Sequence, residues 1–161
     1  MPFEREVQVA KLLAQEAGAL ALDFQRKGVT AESKSDESPV TAADRACERL
    51  IVDGIAREFP DDGVLGEEGA NRESRNGRKW IIDPIDGTRD FVRGIPLWAV
   101  LIGLERDGQI VAAAAHSPGQ GLLHTPVQVP VPGSTISNCE WLTRAILPRP
   151  FFASTASTRP A

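Results

Sequence analysis

Asp83 and Asp86 stand three residues apart in the run Trp80-Ile81-Ile82-Asp83-Pro84-Ile85-Asp86-Gly87-Thr88. Two carboxylates, a hydroxyl and a glycine so close together could hold a cation beside an anion. Trp80-Ile81-Ile82 reads as a short buried strand that ends at Asp83, because Pro84 cannot donate to a sheet ladder. Asp86-Gly87 reads as a turn, and Gly87-Thr88 as the opening of a short helix. Carboxylates about 4 Å apart repel by roughly 4 kcal/mol at an effective dielectric near 20, and a divalent ion turns that conflict into attraction. Amides at a helix start point outward and favour an anion. On its own, Asp-x-x-Asp-Gly is also an ordinary strand end followed by a turn, so the neighbouring elements must decide.

Two upstream segments bear on the choice. In Gly63-Val64-Leu65-Gly66-Glu67-Glu68-Gly69, Val64-Leu65 reads as the end of a second short strand with Glu67 just beyond it. Glu67 and Asp83 can meet if the two strands are neighbours. The other segment is Pro39-Val40-Thr41-Ala42-Ala43-Asp44, which leads into a helical pattern. The Val-Thr-x-x-Asp, Gly-Glu-Glu and Asp-Pro-Ile-Asp-Gly-Thr segments, in that order and at these separations, resemble the inositol monophosphatase family of metal-dependent phosphatases. Phe91-Val92-Arg93-Gly94-Ile95-Pro96 followed by Trp98 is closer in wording to the histidinol-phosphate phosphatase branch. Asp90 stands where that branch commonly has Asn.

The elements that must position these residues read as follows. Glu4 to Lys27 predicts a helix with Val9, Leu13, Ala17, Leu20 and Phe24 along one stripe, stopped by Gly28. Val29 to Val40 is polar and reads as a mobile loop containing Lys34, in a place where the family often carries a lysine. Thr41 to Phe59 predicts a second helix, with Thr41 as cap and Asp44 completing a capping box. Capping alone would explain Asp44. Asp61-Asp62-Gly63 is a turn, and Asn71 to Lys79 reads as an exposed, solvated hairpin tip carrying Arg72, Arg75 and Arg78. Leu97 to Glu105 and Ile110 to His116 read as a hairpin pair joined by Arg106-Asp107-Gly108-Gln109. The expected fold class is α+β: two N-terminal helices packed on a mainly antiparallel sheet, resembling the first half of the αβαβα layered sugar-phosphatase fold.

The chain has 161 residues, 42% hydrophobic and 25% charged, enough for one soluble domain with a real core. Its formal net charge of −4 argues against nucleic-acid and anionic-membrane partners. No apolar run approaches membrane-spanning length, and Met-Pro-Phe-Glu-Arg-Glu does not read as a secretory signal. With only Cys47 and Cys139, far apart, a disulfide framework is not expected and a reducing cytoplasm is.

The resemblance covers about residues 1–123. Residues 124–161 read as an irregular, Pro-rich tail that suits disorder. The family continues with a second αβ half whose Trp-Asp pair supplies a further metal-binding aspartate. Trp141 is followed here by Leu142, so a truncated or frame-shifted product is the expectation.

The resemblance implies Mg2+ held by Glu67, Asp83, Asp86 and the carbonyl of Ile85, with Asp83 bridging two ions in the complete site. An all-oxygen set favours such a hard ion over zinc. It implies Asp44, Thr88 and Glu67 as catalytic residues, Asp44 and Thr88 positioning a metal-activated water that attacks a phosphate monoester. Gly87, Thr88 and Asp86 would bind the substrate. The leading substrate is histidinol phosphate, with inositol, sugar or nucleotide phosphates as alternatives and turnover impaired by the missing half. A non-catalytic metal- or phosphate-binding remnant, pairing with another subunit such as a second copy through its exposed sheet, is a different reading. A calcium-binding structural module is a third, weakened by the lack of EF-hand ligand spacing.

Overall fold

Glu4–Lys27 forms a helix, α1, with Glu4 and Glu6 in its first turn and Arg26 and Lys27 in its last, each sign matched to the helix dipole. The computed structural model describes residues 2–28, 32–33 and 39–125. Two-residue strands β1 (Glu32–Ser33) and β2 (Pro39–Val40) pair antiparallel, so the ends of the segment expected to be a mobile loop are tied together. Lys34 lies outside the described residues, as does the tail from residue 126 onward.

The second helix, α2, spans Ala42–Glu58 behind Thr41, which caps it in a complete capping box with Asp44. Both helices pack on one face of a six-stranded sheet, α1 against α2 and the later strands, α2 against the central one. In α1, Ala10, Ala14, Ala17 and Ala21 are fully buried, and Leu13 of the expected stripe is buried with them. Val9, Leu20 and Phe24 pack at its margin. Small side chains let the helix approach the sheet closely.

The sheet comprises β3 (Gly63–Gly66), β4 (Asn71–Arg72), β5 (Arg78–Asp86), β6 (Ala99–Arg106), β7 (Gln109–Ser117) and β8 (Leu122–His124). A short helix, α3 (Thr88–Val92), follows β5, and a 3-10 turn, Pro118–Gln120, precedes β8. The strand order is β4-β3-β5-β6-β7-β8. Every neighbouring pair is antiparallel except β3 and β5, which run parallel. Ile82, Val100, Ile102 and Leu104 face the helices in the main core, while Ile81, Leu101, Ile110, Ala113 and Ala115 form a smaller cluster.

Two expectations are corrected. β5 does not end at Asp83: it continues through Pro84 to Asp86. Its pairing with β6 shifts register between Asp83 and Asp86, which face Leu101 and Ala99. The irregularity absorbs the residue that has no N–H to donate. The polar segment 71–79 is also not simply a solvated tip. Arg72 donates to the carbonyls of Asp62 and Phe59, and Arg78 pairs with Glu6 at 2.9 Å and Asp62 at 3.0 Å.

Candidate functional site

The parallel pairing of β3 with β5 brings the two acidic motifs together. Gly66 lies opposite Ile82, and the N–H of the next residue, Glu67, donates to the Ile82 carbonyl at 3.2 Å. Glu67 therefore leaves its strand beside Asp83. The Asp83 carboxyl lies within hydrogen-bonding reach of Glu67 and in the fields of Asp86 and Asp44. Glu67 likewise acts on Asp86. Carboxylates from the end of β3, from β5 and from the start of α2 thus share one region. Glu67 and Asp86 form its exposed rim, and Asp83 and Asp44 lie beneath.

This crowding shifts proton affinity. Burial pushes the Asp83 carboxyl up to about 9, reinforced by the charge and hydrogen bond of Glu67 and then by Asp86 and Asp44. Burial, and then Glu67, also raises Asp86. A buried carboxylate among like charges favours its neutral form. Asp83 is 9% exposed, and its Oδ1 is buried without a hydrogen-bond partner.

The turn after β5 is held by Thr88 and Gly87. The Thr88 hydroxyl lies 3.1 Å from Asp44 Oδ1 and 3.0 Å from the carbonyl oxygen of Ile85. Asp44 Oδ2 meanwhile accepts from the Thr41 N–H at 2.8 Å and the Thr41 hydroxyl at 2.5 Å. Asp44 thus caps α2 and ties the motif threonine at once. Gly87 adopts φ 95°, and a Cβ there would meet the Leu97 carbonyl oxygen at 2.8 Å. Glycine is required at Gly87 by both conformation and space. Behind it, Trp98 is buried edge-on against Phe91, ring centroids 5.0 Å apart.

Sequence reading passed over two buried acidic residues, one that supports the site and one that supports the sheet away from it. Glu48, one helical turn beyond Asp44, accepts from the N–H groups of Glu68 and Ala70. Its four-residue spacing from Asp44 on the same helix was the available signal. Asp62, read only as a turn residue, is 2% exposed and accepts from Trp80 Nε1 at 2.8 Å and Asn76 Nδ2 at 2.6 Å. Asp90 is not among the charges that act on Asp83 or Asp86; its backbone carbonyl accepts from the Ile95 N–H at 2.9 Å.

The residues suit a hard divalent cation by donor chemistry: carboxylates in excess of their partners and one orphaned buried oxygen. Among the described residues no three His, Cys, Asp or Glu side chains already converge as ligands on one point. No helix among the described residues is long and apolar enough to cross a membrane.

Comparison with known proteins gives the class. The model of the inositol monophosphatase family matches residues 4–140. A histidinol-phosphatase of Chlorobaculum parvum is 49% identical over 120 residues, 74% of this chain and 46% of that protein. An inositol-1-monophosphatase of Rhizobium meliloti is 38% identical over 109 residues, 66% of this chain and 41% of its own length. The extragenic suppressor protein suhB from Bartonella henselae superposes with a TM-score of 0.74 at 30% identity, covering 78% of this chain and 50% of that one.

The chain belongs to the inositol monophosphatase family. It spans less than half the length of these two curated relatives, and its architecture corresponds to about half of the solved fold.

Proposed function

We propose that this chain carries the metal- and phosphate-binding half of a Mg2+-dependent phosphomonoesterase, with histidinol phosphate as its substrate. The observation that carries the reading is the grouping of Glu67, Asp83, Asp86 and Asp44 around a buried, unpartnered carboxylate oxygen. No purely structural role requires such mutual repulsion, whereas a divalent cation relieves it.

Glu67, Asp83, Asp86 and the Ile85 carbonyl would hold Mg2+. When bound, the ion activates a water and takes up charge on the phosphate and the leaving oxygen. Thr88 and Asp44 form the proton path of this chain. The Thr88 hydroxyl, 3.1 Å from Asp44 Oδ1, can accept from a water while donating to that carboxylate. The Gly87 and Thr88 amides orient phosphate oxygens, and Asp86 and Glu67 bound the approach at the exposed rim. The histidinol-phosphate choice rests on the 49% identity to a histidinol-phosphatase and on the Phe91 to Trp98 wording. Inositol phosphates are the competing substrates, supported by the inositol-1-monophosphatase relatives. Trp141 is followed by Leu142, not by the aspartate that the family pattern pairs with a tryptophan.

The test is phosphate release by the purified chain from histidinol phosphate and from an inositol phosphate, each with Mg2+ and with chelator. Mg2+-dependent release, faster from histidinol phosphate, supports the reading. Equal rates with the two compounds overturn the substrate choice. A folded chain that neither releases phosphate nor binds Mg2+ by calorimetry overturns the reading as a whole.

A further inference from the structure

The loop that carries Glu67 is held from below by a residue with no place in the metal or phosphate chemistry. Glu48 is 5% exposed and sits one turn along α2 from Asp44. Its Oε2 accepts from the Glu68 N–H at 2.7 Å and its Oε1 from the Ala70 N–H at 2.8 Å. The same loop is closed by the Gly66 N–H donating to the Ala70 carbonyl at 2.7 Å. Both oxygens of one buried carboxylate are therefore spent on the backbone immediately after Glu67. Hydrogen bonds of this kind, from N–H to a carboxylate, are stronger and shorter than neutral ones.

Gly66 shows how closely the two parts fit. A Cβ at Gly66 would stand 2.4 Å from the Glu48 carboxyl carbon. The requirement is for space, since this glycine is not in the left-handed region. The strand end can pass over the carboxylate only because Gly66 has no side chain.

We propose that Glu48 is a positioning residue. It fixes the turn 67–70 so that the Glu67 carboxylate faces Asp83, just as Asp44 on the preceding turn fixes Thr88. Two acidic side chains four residues apart on α2 would then set the two motif loops relative to each other. The inference rests on the proposed Mg2+ site, but its geometric part stands without it. Partners that orient a metal ligand typically contribute 10- to 100-fold to metal affinity.

The test uses the full chain in three measurements. Amide exchange without metal reads the loop directly, and the Glu68 and Ala70 amides should be protected at least tenfold relative to free peptide. In Glu48→Gln, whose carboxamide can accept only one of the two N–H groups, that protection should fall. Calorimetry should show Mg2+ affinity about tenfold weaker in Glu48→Gln and in Gly66→Ala, measured well below each variant's unfolding temperature. In a Glu67→Gln background the added Glu48→Gln change should cost less than twofold, because Glu48 acts through Glu67. Unprotected Glu68 and Ala70 amides in the parent chain overturn the inference without any variant. So does full Mg2+ affinity in folded Glu48→Gln, or an undiminished loss in the Glu67→Gln background. If the parent chain binds no Mg2+, the functional reading fails by itself, and the exchange data alone decide whether Glu48 holds the loop.

Discussion

Glu67 donates its backbone N–H to the carbonyl of Ile82, the residue immediately before Asp83, at 3.2 Å. A main-chain bond thus holds two carboxylates side by side against their own repulsion. Asp83→Asn keeps a donor towards Glu67 without the proton that the folded Asp83 carboxyl must hold up to about pH 9. In chelator at pH 8 the variant should be more stable than the parent, by on the order of 1 kcal/mol or more. Its Mg2+ affinity should drop at least tenfold. Urea unfolding and calorimetry check the two halves together.

Stability without metal should decline with rising pH. Unfolded, Asp83 titrates near 3.8; in the fold it is raised to about 9. Between those values the folded chain holds a proton that the unfolded chain has released. The contribution is fully present below pH 3.8 and is lost as the pH climbs through about 9. Asp86, raised in the same direction, adds to the slope. Urea midpoints in chelator across this window should fall, and more steeply than in Asp83→Asn.

Mg2+ binding should release protons and tighten as the pH rises, since the ion and the proton compete for Asp83. Calorimetry at pH 7 in two buffers of different ionisation enthalpy reads the release as a difference in apparent heat. Identical heats would contradict the shared site.

Thr88→Val removes the hydroxyl that reaches both Asp44 and the Ile85 carbonyl. Phosphate release should fall about 100-fold or more, the usual worth of a proton-handling group, at a stability cost of about 1 kcal/mol. Thr88→Ser should keep most of the rate.

Asp62→Ala leaves Trp80 Nε1, Asn76 and the Arg78 guanidinium without their buried acceptor. Loss of one partner of a buried ion pair costs about 3–5 kcal/mol. Denaturant unfolding should show it, with Mg2+ affinity unchanged at temperatures where the variant is folded.

Both long helices were legible because their signals are local: apolar recurrence, the Thr41 cap, and Gly28 as a stop. The meeting of Glu67 and Asp83 was legible as a condition, that their strands be neighbours, and the parallel pairing of β3 and β5 meets it. What escaped reading depends on distant partners. Nothing near Glu48 announces the amides of Glu68 and Ala70, 20 and 22 residues on. Nothing near Arg78 announces Glu6 or Asp62, so its charge looked like that of a solvated turn. Pro84 misled for the opposite reason, since a local rule against pairing is satisfied by a local irregularity rather than by the end of the strand.

That irregularity has a geometric yield. Along a regular strand, side chains alternate, and positions separated by an odd number of steps look in opposite directions. Three steps on β5 from Asp83 to Asp86 are matched by only two on β6, from Leu101 to Ala99. The surplus residue converts an odd interval into an even one. Ile82 and Ile85, also three apart, accordingly both enter the core beneath the helices. Without the kink at the proline, one aspartate of the pair would be turned through the sheet, and no single ion could touch them both.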